Sequence, residues 1–160
     1  MLLCAQRPVK LGAVCAVRRF IAQWRRPASH YAVRIATHTQ GEIMSAIARH
    51  QSDSRLSRVV TCNGIAYLAG LTADNRAAPM KAQTEEILKK IDSLLKLAGT
   101  DKSRLLSALV YVTDMRLKAQ MDEAWIAWVD PKNTPARACV ETRLGTPDTL
   151  VEIMVIAAQQ

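Results

Sequence analysis

"MKAQTEEILKKIDSLLKLAGTDKSRLLSALVYVT", residues 80–113, changes its apolar period once, and that change decides the fold. In its first half Ile87, Leu88, Ile91, Leu94, Leu95 and Ala98 recur at three- and four-residue spacing, the stripe of an amphipathic helix. Glu85 with Lys89 and Glu86 with Lys90 stand as favourable i,i+4 pairs on the opposite, wet side. This charge run therefore reads as a solvated helix face, and Gly99 as the helix stop. From Leu105 to Thr113 the residues turn branched and aromatic, which predicts a buried strand.

Upstream, "SRVVTCNGIAYLAG" (57–70) holds two strand candidates, Arg58 to Cys62 and Ile65 to Ala69. Asn63-Gly64 joins them, and that dipeptide favours a type I′ hairpin because both central positions need positive φ. "LTADNRAAP" is turn-rich, and Pro79 sits where a first-turn proline is tolerated. Downstream, a helix is predicted over about Leu117 to Val129, with Met121, Ala124, Trp125 and Trp128 on one stripe and Pro131 closing it. Tryptophans at helical spacing read first as core or subunit-interface anchors. "ARACVETRLGTPDTLVEIMVIA" (136–157) then supplies two strands and a polar loop.

The resulting order, β-β-α-β-α-β-β, predicts a two-layer α/β sandwich with two helices on one face of a mixed sheet. The other sheet face is left uncovered, and its strands are too apolar to stay wet. Self-association is the natural cover.

The 160 residues, 49% of them apolar, suit one domain with a substantial core. The net charge of +8 is unevenly spread. Residues 1–43 hold seven basic side chains against Glu42, a net +6, which leaves +2 for the rest. The basic balance therefore argues little for nucleic acid as a partner of the body. The first 43 residues fit no sustained period, with Pro8 and Pro27 interrupting them. Three readings of this leader stay open: an over-extended start upstream of Met44, an organellar targeting segment, and a genuine basic arm. Cys4, Cys15, Cys62 and Cys139 form no C-x-x-C pair, and His30, His38 and His50 are scattered, so neither a metal site nor a redox centre is expected. No apolar run is long enough for a membrane span, and a cytoplasmic location is expected, or a mitochondrial one if the leader is genuine and the source eukaryotic.

Two charges interrupt the last strands. Alternation puts Arg137 on one face with Cys139 and Glu141, and Glu152 on one face with Leu150, Met154 and Ile156. A short loop links the two strands, so direct pairing would bring Arg137 and Glu152 together. They then form either a structural salt bridge or the two ends of a cleft; Glu152 at a sheet edge simply meeting water is a third reading. In the cleft reading Arg137 offers its planar fork to a substrate carboxylate, Glu152 handles water or protons, and Cys139 lines the wall.

"NTPARACVE", followed by the glutamate of "LVEIMVIAA", resembles the signature of the Rid family of reactive-intermediate (enamine/imine) deaminases. The likeness runs from about Met44 to the end, through "AQTEEILKKIDSLLKLAGTDKSRLLSALVYVTD" and "MDEAWIAWV" in family order. It implies a Rid-type domain over 44–160 with a chorismate-mutase-like fold, assembled as a homotrimer with ligand clefts between subunits. It also implies hydrolysis of 2-imino or 2-enamino acids to 2-oxo acids and ammonia, with no cofactor and a small carboxylate-bearing substrate. A non-catalytic, small-molecule-binding member is the alternative. Carried onto this chain, Arg137 holds the substrate carboxylate, Glu152 assists the attacking water, and Cys139, Ala69 and Gly70 line the pocket.

Four positions depart from the family pattern. Ala69 stands where a serine precedes the glycine matched by Gly70, and Leu71 where a glutamine follows it. Leu56 falls near a cleft tyrosine and Asp122 at a helix asparagine. Together with the "R-x-S-x-x-V" of Arg55 to Val60, these departures resemble a less-studied branch with a different or broader ligand.

Overall fold

The computed structural model describes residues 46–160. The 1–43 leader lies outside the described residues. Strands β1 (Ala48–Ser52), β2 (Ser57–Cys62) and β3 (Ile65–Leu68) come first, then helix α1 (Met80–Leu97). Strand β4 (Leu105–Val112), helix α2 (Lys118–Trp128) and strands β5 (Ala136–Glu141) and β6 (Val151–Ala158) follow. They form one six-stranded sheet in the order β1-β2-β3-β6-β4-β5. Every neighbouring pair is antiparallel except β4 and β5, which run parallel across the α2 crossover.

Local chemistry sets the element ends. Asn63 and Gly64 take φ of 52° and 75° and close the β2–β3 hairpin, where Cys62 faces Ile65. Helix α1 starts after extended Pro79 and stops at Gly99, whose φ is 73°. There Thr100 N–H donates to the Leu95 carbonyl (3.0 Å) and Gly99 N–H to that of Lys96 (3.1 Å), the paired bonds of a Schellman stop. Of the two charge pairs expected on α1, Glu86–Lys90 forms at 3.0 Å, and Lys90 also reaches Asp74 at 2.8 Å.

The last strand of the chain fills the middle of the sheet. Along β6, Val151, Ile153, Val155 and Ala157 are fully buried while Glu152, Met154, Ile156 and Ala158 are half-buried. The buried set meets Ile87, Leu88, Ile91 and Leu95 of α1, and each such side chain contributes about 1.5–3 kcal/mol by leaving water. The helix-side stripe of α2 is Met121, Ala124 and Trp125, with Trp128 partly buried beside it. Trp128 Nε1 donates to Asp92 of α1 at 2.9 Å, tying the helices together.

Both helices lie on one face, as the sequence predicts. On the other face Val60, Tyr67, Leu109, Tyr111 and Ile156 come into register with no helix over them among the described residues. Tyr67 and Val140 remain 46% and 43% exposed there, far more than a core face allows.

One expectation is corrected. β5 and β6 are not neighbours: β4 runs between them. Joining β5 to β4 in parallel buries α2 on the core, and β6, apolar at every position but Glu152, pairs with β3 and β4 in the interior of the sheet. Strand β1 was not expected either; its sequence, "ARHQS", is an edge strand without apolar alternation.

Candidate functional site

Strand register places Arg137 opposite Ala108, a buried residue of the helix face. Cys139 and Glu141 share that face, opposite Val110 and Val112. Glu141 accepts a hydrogen bond from Met115 N–H (2.7 Å), which anchors the turn leading into α2. Helix α2 therefore lies over β5 with Lys118, Asp122 and Trp125, spaced four and three apart, turned toward Arg137.

The backbone of Arg137 lies on the exposed edge strand, yet its side chain is only 24% exposed. Nη2 of its guanidinium donates to Asp122 Oδ1 at 2.7 Å. Its Cζ sits 5.2 Å from the centre of the Trp125 ring, within cation–π range. Asp122 Oδ2 accepts from Lys118 Nζ, so one carboxylate bridges two cations. Burial pushes the Asp122 carboxyl upward, but the hydrogen bonds from Lys118 and Arg137 outweigh it and hold the group below the usual aspartate range. Burial pushes the Cys139 thiol up against the pull of Lys118 and Arg137, so the group is a neutral wall and not a thiolate nucleophile at neutral pH.

Glu152 faces Tyr111 and belongs to the opposite, helix-free face. Its carboxylate folds over Gly70: a Cβ placed on that glycine would lie 2.0 Å from Glu152 Oε1. Leu71 and Ile153 exchange backbone hydrogen bonds of 2.9 and 3.0 Å, which press the Ala69–Gly70 exit of β3 against β6. The Glu152 carboxylate has no hydrogen-bond or salt-bridge partner among the described residues.

Arg137 and Glu152 are therefore not a salt bridge. They sit on opposite sheet faces with one strand between them and three residues of stagger along it, about 14 Å apart at the backbone. Arg137 pairs with Asp122 instead. The chain thus separates two groups of candidate residues, candidate half-sites: a cationic one of Arg137, Lys118, Asp122 and Cys139, and a carboxylate one of Glu152 with Ala69 and Gly70. The part played by Lys118 was not read from the sequence; its i,i+4 spacing to Asp122 was the available signal. Trp125, taken as a core or interface anchor, also backs the guanidinium. Among the described residues no cluster of His, Cys, Asp or Glu could hold a metal, and no helix is long and apolar enough to cross a membrane.

A mixed sheet with two helices on one face, an arginine on its edge strand and a glutamate on its last strand define a class of small α/β proteins. The family model described as Endoribonuclease L-PSP matches residues 46–159. A RutC family protein of Haemophilus ducreyi is 42% identical over 112 residues, covering 70% of this chain and 96% of the relative. The RutC family protein YoaB of Escherichia coli is 36% identical over 112 residues, covering 70% and 97%. A solved structure of a YjgF family member from Neisseria meningitidis superposes with a TM-score of 0.71 at 38% identity, covering 73% of this chain and 98% of that one. A member of the YjgF/YER057c/UK114 family from Mycobacterium tuberculosis gives 0.63 at 26%, covering 71% and 98%. The chain belongs to the Rid/YjgF family.

Proposed function

We propose that the protein hydrolyses 2-imino and 2-enamino acids to 2-oxo acids and ammonia, in clefts shared between the copies of a homotrimer. The observation that carries this reading is the state of Arg137. Its guanidinium is fixed by Asp122 at 2.7 Å and backed by Trp125 at 5.2 Å, and this single Nη2 contact leaves its other donors for a ligand carboxylate. Glu152, which no cation among the described residues engages, supplies the proton acceptor for water. The imine carbon is already electrophilic. Water adds to it, the proton passes by way of Glu152 to nitrogen, and collapse of the carbinolamine expels ammonia and leaves the ketone. Positioning and one proton relay meet that demand.

The split of the half-sites supports the shared cleft. One copy cannot present Arg137 and Glu152 to the same small molecule, whereas the apolar open face offers a surface on which a second copy brings them together. A second reading, a binding protein without turnover, is favoured by Ala69 and Leu71, which offer Glu152 no polar side chain, Leu71 being buried in the core.

The test generates 2-iminopropanoate in situ with an amino-acid oxidase and follows its loss. Hydrolysis above buffer is expected, and Arg137→Ala is expected to lower it by about a hundredfold or more, the usual cost of losing a charged, bidentate contact. Saturable binding of 2-oxo acids with no hydrolysis would establish the binding-protein reading. Equal rates for both proteins would remove the role assigned to Arg137.

A further inference from the structure

The family likeness accounts for an arginine but says nothing of the charges around it. Three ionised groups are linked in a row here: Lys118 to Asp122 Oδ2, and Asp122 Oδ1 to Arg137 at 2.7 Å. All three side chains are partly withdrawn from solvent, 37%, 23% and 24% exposed. Cys139 beside them stays neutral. The cluster therefore carries one net positive charge, although it contains two cations.

We propose that Asp122 and Lys118 set the charge of the ligand that Arg137 accepts, fitting the site to acids with a single carboxylate and discriminating against dicarboxylates. This rests on the reading of Arg137 as the carboxylate clamp. One carboxylate on Arg137 neutralises the cluster. A second has no uncompensated cation of this cluster to meet, because Lys118 is held by Asp122 and turning it to the ligand would leave Asp122 with half its partners. In a site partly shielded from water that surplus charge is felt over several ångströms. Asp122 thus acts twice: it positions the guanidinium and cancels the second cation. A neutral amide at this position would do the first without the second.

The test compares two acids of equal chain length, 2-oxopentanoate with one carboxylate and 2-oxopentanedioate with two. Dissociation constants are measured by calorimetry at low ionic strength on the assembled protein. Wild type is expected to prefer the monocarboxylate by about tenfold, the effect of one poorly compensated charge. Asp122→Asn raises the cluster to +2 and moves the preference about tenfold toward the dicarboxylate. Lys118→Gln lowers it to zero and moves the preference the other way. Opposite shifts from two neighbouring substitutions cannot come from a general loosening of the site. Unmoved preferences, or shifts of the same sign, overturn the inference. Arg137→Ala separates the two levels: loss of both acids with unmoved preferences in the other variants sinks the charge inference alone. Wild-type binding by Arg137→Ala sinks the clamp and this inference with it.

Discussion

Gly70→Ala isolates the contribution of the Glu152 carboxylate. The new Cβ would stand 2.0 Å from Oε1, 3.0 Å from Cδ and 3.3 Å from Cγ of Glu152, where ordinary contact begins at 3.4 Å. Oε1 must therefore retreat by 3.4 − 2.0 = 1.4 Å. Gly70 is not among the residues with positive φ, so the backbone itself accepts alanine. The carboxylate end is the flexible part and yields first, which keeps the cost in stability within about 1 kcal/mol. A proton acceptor displaced by more than an ångström is a different matter, since a misplacement of about 1 Å costs on the order of a hundredfold in rate. The expected result is a fall of about that size in kcat/KM for 2-iminopropanoate with the melting temperature nearly unchanged. Glu152→Gln should give a comparable fall, and the double variant little more than either alone, because both changes remove one function. Wild-type kcat/KM in Gly70→Ala would refute the assignment of Glu152 over Gly70 as the water-handling group. Full additivity of the two changes would do the same for their shared action.

Three further outcomes follow from the same geometry. Gln83 is fully buried; its Nε2 donates to the carbonyls of Arg76, Ala78 and Asp148 at 2.9–3.0 Å and its Oε1 accepts from Leu150 N–H at 3.0 Å. Gln83→Leu keeps the volume but strands these groups, so a loss of about 2–4 kcal/mol and a drop in melting temperature on the order of 10 °C are expected by calorimetry; an unchanged midpoint would show that water takes over the bonds. The Asp122 carboxyl is held below its ordinary range in the folded chain, so the stability it contributes is present above the unfolded value and is lost as pH falls through the folded one. Wild type and Asp122→Asn should therefore differ at neutral pH and converge in acid unfolding below the usual aspartate range, and a constant gap across that range would contradict the bridge. Leu109 is half-buried at the centre of the open face, opposite Met154 and Ala138. Leu109→Lys should leave the helix-side core intact yet reduce the particle to single chains by light scattering, whereas an unchanged mass would move the interface elsewhere.

What was legible in the sequence was local. Asn63-Gly64 and Gly99 demand positive φ wherever the chain goes, and both adopt it. The stripe of α1 and the run of β4 carry their own periods, and their bounds lie close to those read from the residues. β1 was hidden because Arg49, His50 and Gln51 give an edge strand no apolar beat. The site was half-legible for a related reason. Alternation correctly grouped Arg137 with Cys139 and Glu141, but it cannot say which group of a strand meets the helices. That depends on strand order, a non-local property, and the short β5–β6 loop suggests a hairpin, whereas β6 pairs with β3 and β4 instead. Asp122 was visible as a departure from a pattern; that it would be the partner of Arg137 required the face of α2 to be known.

The separation of Arg137 from Glu152 also bears on the proposed reaction. β4 keeps Arg137 and Glu152 apart, and their side chains leave the sheet in opposite directions. No rotamer change in one chain closes that gap, because it would have to pass through a packed core. On the proposed reading, a reaction needing both groups therefore requires a second copy of the chain. Leu109 belongs to neither candidate half-site, yet Leu109→Lys should abolish hydrolysis together with self-association. An equimolar mixture of Arg137→Ala and Glu152→Gln chains should regain activity when unfolded and refolded together. Each variant keeps the half-site that the other lacks, so mixed assemblies contain intact clefts, while separately refolded pools contain none. Recovery only on co-refolding is the signature of a site shared between copies. Activity that tracks neither mixing nor association would place both functions within one chain, against the register of its sheet.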